Sequence, residues 1–274
     1  MATEGLKVMD PCAIATRTGL SEMDPGRCGG RGAARGLARL LLFLVFCASG
    51  ASHAGAQEAA PPAAEMSPSH HMHHHMEGVD GAFHHRFEGA ENWAKEFDSA
   101  ERDDWQKPQE VLEALKIGKS ATVADIGAGT GYFATRIARL APQGRVYAVD
   151  VEPDMTRYLA ERAKREGLTN VIPVQAQADN AALPEPVDLA LVVDTFHHIG
   201  HRVAYFTRLK SSLKDGGRLV IIDFKADSPS GPPPQYRIPL EQAADELIAA
   251  GYTLVEAPSF LPRQYMLIFR KGAP

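Results

Sequence analysis

The strongest constraint in the chain is the run Ala121-Thr-Val-Ala-Asp-Ile-Gly-Ala-Gly-Thr-Gly131, an apolar strand that meets an acid and then breaks into three alternating glycines. Glycine at every second position lets the main chain take left-handed conformations and lets a ligand lie directly on the backbone. A helix starting at the last glycine brings its positive N-terminal end to the same turn. Strand, turn and helix in this order open a parallel α/β sheet, and the turn marks the edge where such a sheet binds ligands. The spacing Gly127-x-Gly129-x-Gly131 differs from the G-x-G-x-x-G of dinucleotide binders.

Downstream, the hydrophobic pattern alternates between strand and helix periods. Pro108 suits the first turn of a helix whose apolar face is Val111, Leu112 and Leu115. Helices are predicted over 131–140, 154–167 and 201–213, and strands over 121–126, 145–150, 171–174, 189–193 and 218–223. Such alternation implies parallel strands joined by right-handed crossovers. Near the C-terminus the rhythm changes: helix 240–250 ends at Gly251, and strands 252–256 and 265–269 follow with no helix between them. Those two read as an antiparallel hairpin at the sheet edge. The predicted fold is α/β, a Rossmann-like, doubly wound, seven-stranded sheet with an antiparallel C-terminal hairpin.

Asp125 stands at the end of the first strand and Asp150 at the end of the second, so both acids share one rim of the sheet. A carboxylate at Asp125 would repel a pyrophosphate but suits the ammonium and sulfonium of S-adenosylmethionine. An acid in the place of Asp150 accepts hydrogen bonds from ribose hydroxyls. An NAD-dependent oxidoreductase is disfavoured by the glycine spacing and by the terminal hairpin.

With these residues in place, the chain resembles the class I S-adenosylmethionine-dependent methyltransferases, in their small-molecule, ubiquinone-biosynthesis-like branch. The resemblance covers roughly residues 108–271. It rests on Val123-Ala-Asp-Ile-Gly-Ala-Gly-Thr-Gly-Tyr-Phe133, Val149-Asp150, Gln177-Ala-Asp-Asn180, Val187-Asp-Leu-Ala-Leu-Val-Val-Asp194 and Leu213-Lys-Asp-Gly-Gly-Arg-Leu-Val220. It implies S-adenosylmethionine as cofactor, held by Asp125, Gly127, Gly129, Gly131, Asp150 and Asp194, with Asp179 at the adenine amino group. It implies methyl transfer to a small-molecule acceptor that the sequence does not name. The competing reading is a binding module that holds the cofactor without turnover.

His197 and His198 follow the fourth strand, where the resemblance places the cofactor's methionine end. Either imidazole could be a general base for an acceptor hydroxyl or amine. The bland alternative is that they cap or pack the next helix, because methyl transfer from a sulfonium depends mostly on alignment. Trp105, with Gln106, either lids the sulfonium through its aromatic face or is ordinary core. Residues 83–107 form an N-terminal helical lid segment ahead of the cofactor-binding domain at 108–274.

The first 56 residues read differently. Arg31, Arg35 and Arg39 precede the apolar run Leu40-Leu-Leu-Phe-Leu-Val-Phe-Cys47, and small residues follow. This is the pattern of a secretory signal peptide, too short to span a bilayer comfortably. Export to the periplasm or the medium is expected. If the segment is not cleaved it is an anchor, and membrane contact is confined to it; if it is not functional, the chain stays cytoplasmic. Residues 57–82 form a disordered, His/Met-rich linker. Within it, His70, His71, His73, His74 and His75 offer ligands for copper, nickel or zinc, or are a solvated tail without a metal role.

All three cysteines (Cys12, Cys28, Cys47) precede the first folded segment, so thiol chemistry in the folded part is excluded. The net charge of −5 gives no footprint for nucleic acid. Oligomeric state is not legible.

Overall fold

The computed structural model describes residues 76–77 and 82–272. The N-terminal segment 1–56 and His70, His71, His73, His74 and His75 lie outside the described residues. Among the described residues, no helix is long and apolar enough to cross a membrane.

The lid segment begins with a two-residue strand, Phe83–His84, paired antiparallel with Met76–Glu77. Two short helices follow, α1 (Ala90–Phe97) and α2 (Ala100–Gln106), and then α3 (Pro108–Leu115). Lys107 links α2 to α3 in a left-handed conformation (φ 46°), so the chain turns sharply just before Pro108 fixes the start of α3. The segment expected to be helical throughout is therefore extended at its start and then divided between α1 and α2.

The sheet contains β1 (Thr122–Ile126), β2 (Arg145–Asp150), β3 (Val171–Gln175), β4 (Val187–Val193), β5 (Leu213–Phe224), β6 (Tyr252–Glu256) and β7 (Gln264–Lys271). Its order is β3-β2-β1-β4-β5-β7-β6. The first five strands run parallel, and β7 is antiparallel to both β5 and β6. The helices between them are α4 (Tyr132–Leu140), α5 (Pro153–Arg165), α6 (Arg202–Leu209) and α7 (Leu240–Ala249).

Alternate strand residues face opposite layers. Val123, Val146, Leu189 and Val220 pack with Leu112, Leu115, Phe133 and Leu159, so α3, α4 and α5 cover one face. Ile126, Val149, Val192 and Ile221 pack with Phe206 and Leu247, so α6 and α7 cover the other.

The C-terminal hairpin sits at the sheet edge as expected, with its later strand inside. Gln264 to Phe269 of β7 are all buried, whereas Thr253, Val255 and Glu256 of β6 are exposed. A strand apolar on both faces belongs inside a sheet, and a half-polar one suits its edge.

The helix expected over 201–213 stops at Leu209, and β5 starts at Leu213 rather than 218. Asp215-Gly216-Gly217 interrupts the strand's register without ending it. Gly216 takes φ 75°, and a side chain on Gly217 would sit 2.8 Å from the Lys214 carbonyl oxygen. Leu213 is buried against Val187 before this irregularity and so remains part of the sheet.

Candidate cofactor site at the carboxyl edge of the sheet

The three glycines of the turn have φ of 74°, 54° and 96° at Gly127, Gly129 and Gly131, all in the left-handed region. A side chain on Gly127 would meet Thr195 Oγ1 at 2.2 Å, and one on Gly131 would meet Leu159 at 2.7 Å. These two glycines are demanded by packing. At Gly129 the nearest neighbour is the Phe97 ring of the lid, at 3.4 Å. The middle glycine thus faces the lid rather than the sheet.

Asp150 ties the turn to β2. Its carboxylate accepts the Gly129 N–H at 2.8 Å and the Glu152 N–H at 2.9 Å, and burial raises its pKa. Asp125 is 3% exposed at the end of β1, and burial pushes its pKa up to about 7, against the Ala134 N–H and the Arg102 guanidinium. Asp194, just past β4, has φ 54°, and burial raises its pKa to about 6 in spite of Arg102. Asp125, Asp150 and Asp194 therefore gather along one rim with the glycine turn. Asp179 does not join them: its side chain is 72% exposed and lies 3.5 Å from Arg208.

The lid supplies partners that the sequence pattern did not reveal. Arg102 of α2 donates to Asp194 Oδ2 at 2.9 Å, and its guanidinium stacks 4.1 Å from the centre of the Tyr132 ring. Gln264 of β7 donates to Asp194 Oδ1 and accepts from Gln106 at 2.6 Å, and Gln106 accepts from Arg102 at 3.1 Å. Four side chains thus close a ring between the lid and the sheet. Asp98 adds a buttress, taking Arg162 at 2.8 Å. Trp105 lies 5.8 Å from Phe224 and 5.5 Å from Arg263, so it packs at the rim on the lid side.

The paired histidines have different surroundings. His197 is 3% exposed, and its Nδ1 lies 2.8 and 2.9 Å from the two oxygens of Asp223, the penultimate residue of β5. Asp223 also accepts the His197 and Phe224 N–H groups, at 3.0 and 2.7 Å. A carboxylate so placed holds the proton on Nδ1 and leaves Nε2 as the basic nitrogen. His198 Nδ1 meets the Phe83 carbonyl oxygen, which can only accept, so Nδ1–H is again the donor. Burial and the neighbouring His197 depress the His198 pKa to about 3, and its ring sits 5.2 Å from Phe83 and 5.5 Å from Phe87. His197 is the oriented imidazole and His198 the packed one. Among the described residues, no group of three or more His, Cys, Asp or Glu could hold a metal ion.

The residues at the rim fit a cationic, ribose-bearing cofactor. The acids Asp125, Asp150 and Asp194 converge there, and Arg162, which donates to the Thr130 carbonyl at 2.9 Å, is already neutralised by Asp98 and Glu166. A pyrophosphate would meet like charge.

Comparison with known proteins agrees. Residues 123–217 match the family model described as a methyltransferase domain. The ubiquinone/menaquinone biosynthesis C-methyltransferase of Pseudomonas putida is 29% identical over 123 residues, 44% of this chain and 47% of that protein. The trans-aconitate 2-methyltransferase of Afipia carboxidovorans is 25% identical over 180 residues, 62% of this chain and 68% of that protein. A crystal structure of a SAM-dependent methyltransferase from Aquifex aeolicus superposes with a TM-score of 0.62 and 25% identity, over 66% of this chain and 97% of that one. The chain spans about half the length of the first of these curated relatives. Residues 123–217 thus form a methyltransferase domain, and the fold and cofactor are those of the class I S-adenosylmethionine-dependent methyltransferases to which the chain is similar.

Proposed function

We propose that the chain is an enzyme that transfers a methyl group from S-adenosylmethionine to a small-molecule acceptor. The observation that carries this reading is the convergence of Asp125, Asp150 and Asp194 on a turn whose three glycines are all left-handed. The relatives named for ubiquinone/menaquinone biosynthesis and for trans-aconitate support a small acceptor. A net charge of −5 supports it further, since nothing in the overall charge attracts nucleic acid.

The bound cofactor supplies an electrophilic methyl on a sulfonium. The chain's residues align and seal the site. Asp150 organises the turn and faces the ribose, and Asp125 and Asp194 provide negative charge. The lid from Phe83 to Lys107 keeps water from the rim, which strengthens every charge interaction inside it. His197 Nε2, with Nδ1 held by Asp223, takes the proton of an acceptor hydroxyl or amine.

Calorimetry with S-adenosylmethionine, S-adenosylhomocysteine and NAD tests the assignment. Binding of the first two at micromolar Kd is expected, and binding of NAD alone overturns it. Asp150→Ala should weaken cofactor binding by about 1–3 kcal/mol, the range for losing a hydrogen-bond partner. An unchanged Kd removes Asp150 from the site.

Export also belongs to this proposal and rests on the pattern of residues 31–56. A reporter fused after Ala56 should be active only outside the cytosol, and cytoplasmic activity counts against it.

A further inference from the structure

Charge along the carboxyl edge of the sheet is divided in two. The acids Asp125, Asp150 and Asp194 stand at the ends of β1, β2 and β4. At the β5–β7 end of the same edge Asp223 is taken by His197, and the other ionisable side chains are mainly basic. Because β5 and β7 are antiparallel, the residue after β5 and the residue before β7 meet there, and the Lys225 N–H donates to the Arg263 carbonyl at 3.0 Å. The two connections, residues 225–239 and 257–263, hold Lys225, Arg237 and Arg263 against a single carboxylate, the exposed Asp227. Among the described residues none of these three cations forms an ion pair, in a chain whose net charge is −5.

The three cations do different work. Lys225 Nζ donates to the Leu261 and Pro262 carbonyls at 2.8 and 3.5 Å and so ties the two connections together. Arg237 donates to the Pro232, Ala226 and Ser228 carbonyls at 2.9, 3.0 and 2.7 Å, which fixes the shape of the loop after β5. Arg263 does neither. Its Nη1 donates to Ser230 Oγ at 3.1 Å, while Nε and Nη2, which share one edge of the guanidinium plane, bond to no described residue. The guanidinium is half-buried and stacks 5.5 Å from the centre of the Trp105 ring. A guanidinium held against an indole with one edge free is ready for the two parallel bonds of a planar oxyanion. The loop also borders the imidazole: Trp105 lies 5.8 Å from Phe224 and Phe224 6.4 Å from His197, and Tyr236 lies 4.7 Å from Phe83, itself 6.2 Å from His197.

Resting on the methyltransferase reading above, we propose that Arg263 is a specificity-determining residue and that the methyl acceptor carries a carboxylate. The carboxylate takes the Nε–Nη2 edge of Arg263, and the Ser230 hydroxyl, which accepts from Nη1, keeps its own proton to donate. The hydroxyl or amine of the acceptor lies toward His197, across the Phe224 ring. The divided edge suits both ligands, with acids beside a cationic cofactor and a base beside an anionic acceptor, and the bound sulfonium itself attracts an anion. A neutral acceptor would leave the guanidinium edge without a partner, so the subsite selects against it.

The test uses two probes of one shape on the full chain loaded with S-adenosylhomocysteine: 4-fluorobenzoate and its neutral isostere 4-fluorobenzamide, each titrated by fluorine NMR. The benzoate should bind about tenfold more tightly, the lower end of what hydrogen bonds to a charged group provide, because Arg263 is half-buried. Arg263→Gln keeps a donor for Ser230 and loses the charge, and should bring the two affinities to within about twofold of each other. Arg208→Gln removes the same charge from the exposed surface of α6 and should leave the preference for the benzoate unchanged. Equal binding of the two probes by the wild type, an unchanged ratio in Arg263→Gln, or an equal fall in Arg208→Gln overturns the carboxylate subsite. S-adenosylhomocysteine is titrated into each protein first. Its binding shows that the variants are folded, and failure of the wild type to bind it overturns the cofactor reading itself.

Discussion

Replacing Asp125 with Asn should stabilise the empty protein while weakening its hold on the cofactor, and the stabilisation should grow with pH. Asp125 is 3% exposed, and burial lifts its pKa from the ordinary 3.8 to about 7. The native state therefore prefers the protonated acid, whereas the unfolded chain ionises it above pH 3.8. Wild-type stability from this group is complete below that pH, falls as the pH rises toward 7, and is constant above it. At about 1.4 kcal/mol per pH unit, the whole span is roughly 4 kcal/mol. Asn does not titrate, and its oxygen can still accept the Ala134 N–H. The advantage of Asp125→Asn over wild type should therefore grow by about 2 kcal/mol between pH 5.5 and pH 8. Urea unfolding followed by circular dichroism, without cofactor, measures the difference at each pH. A difference that does not change with pH would show that Asp125 is ionised throughout and that its burial does not govern its charge.

Three further outcomes follow from the same geometry. Because S-adenosylmethionine brings positive charge to carboxyl groups with pKa of about 7 at Asp125 and about 6 at Asp194, its binding should tighten from pH 5.5 to 8 and release protons near pH 6–7. Calorimetry in two buffers of different ionisation enthalpy reads the release, and a flat profile rejects it. Gly127→Ala places a methyl 2.2 Å from Thr195 Oγ1 at φ 74°, and should lower unfolding stability by about 2–4 kcal/mol; an unchanged Tm would refute the packing argument. Asp223→Asn should cost about 1–3 kcal/mol and free the His197 ring to adopt the other tautomer. The His197 Nδ1–H signal in the proton NMR spectrum should be lost, and its persistence would show that Asp223 does not set the tautomer.

The sheet and its ligand rim were legible because they depend on local rules. Glycines at Gly127, Gly129 and Gly131 announce left-handed backbone, and acids at the ends of two successive strands fall on one rim because parallel strands all point the same way. The longer β5 was hidden because Asp215-Gly216-Gly217 has the composition of a turn. It is kept in the sheet by the burial of Leu213, a tertiary fact. Arg102 was hidden for a similar reason. It lies in Glu101-Arg-Asp-Asp104, a run with the composition of a solvated helix face, and a spacing of 92 residues separates it from Asp194. Gln106 and Gln264 have side chains of a kind found on any surface, and residue type alone gives no sign that these two are buried and bonded to each other. Asp179 stands apart from the three buried acids. Motif position places it near the adenine, whereas its carboxylate stands in solvent beside Arg208.

The way charge is divided between the two halves of the site explains why the lid is more than a cover. The strands contribute acids at their carboxyl ends, and burial makes each acid resist ionisation, so the sheet alone is a poor place for a carboxylate-bearing ligand. The lid contributes Arg102, held by the Phe97 carbonyl and Gln106 within its own two helices. Lid and sheet are therefore joined by charge at the contact between α2 and the residue that follows β4.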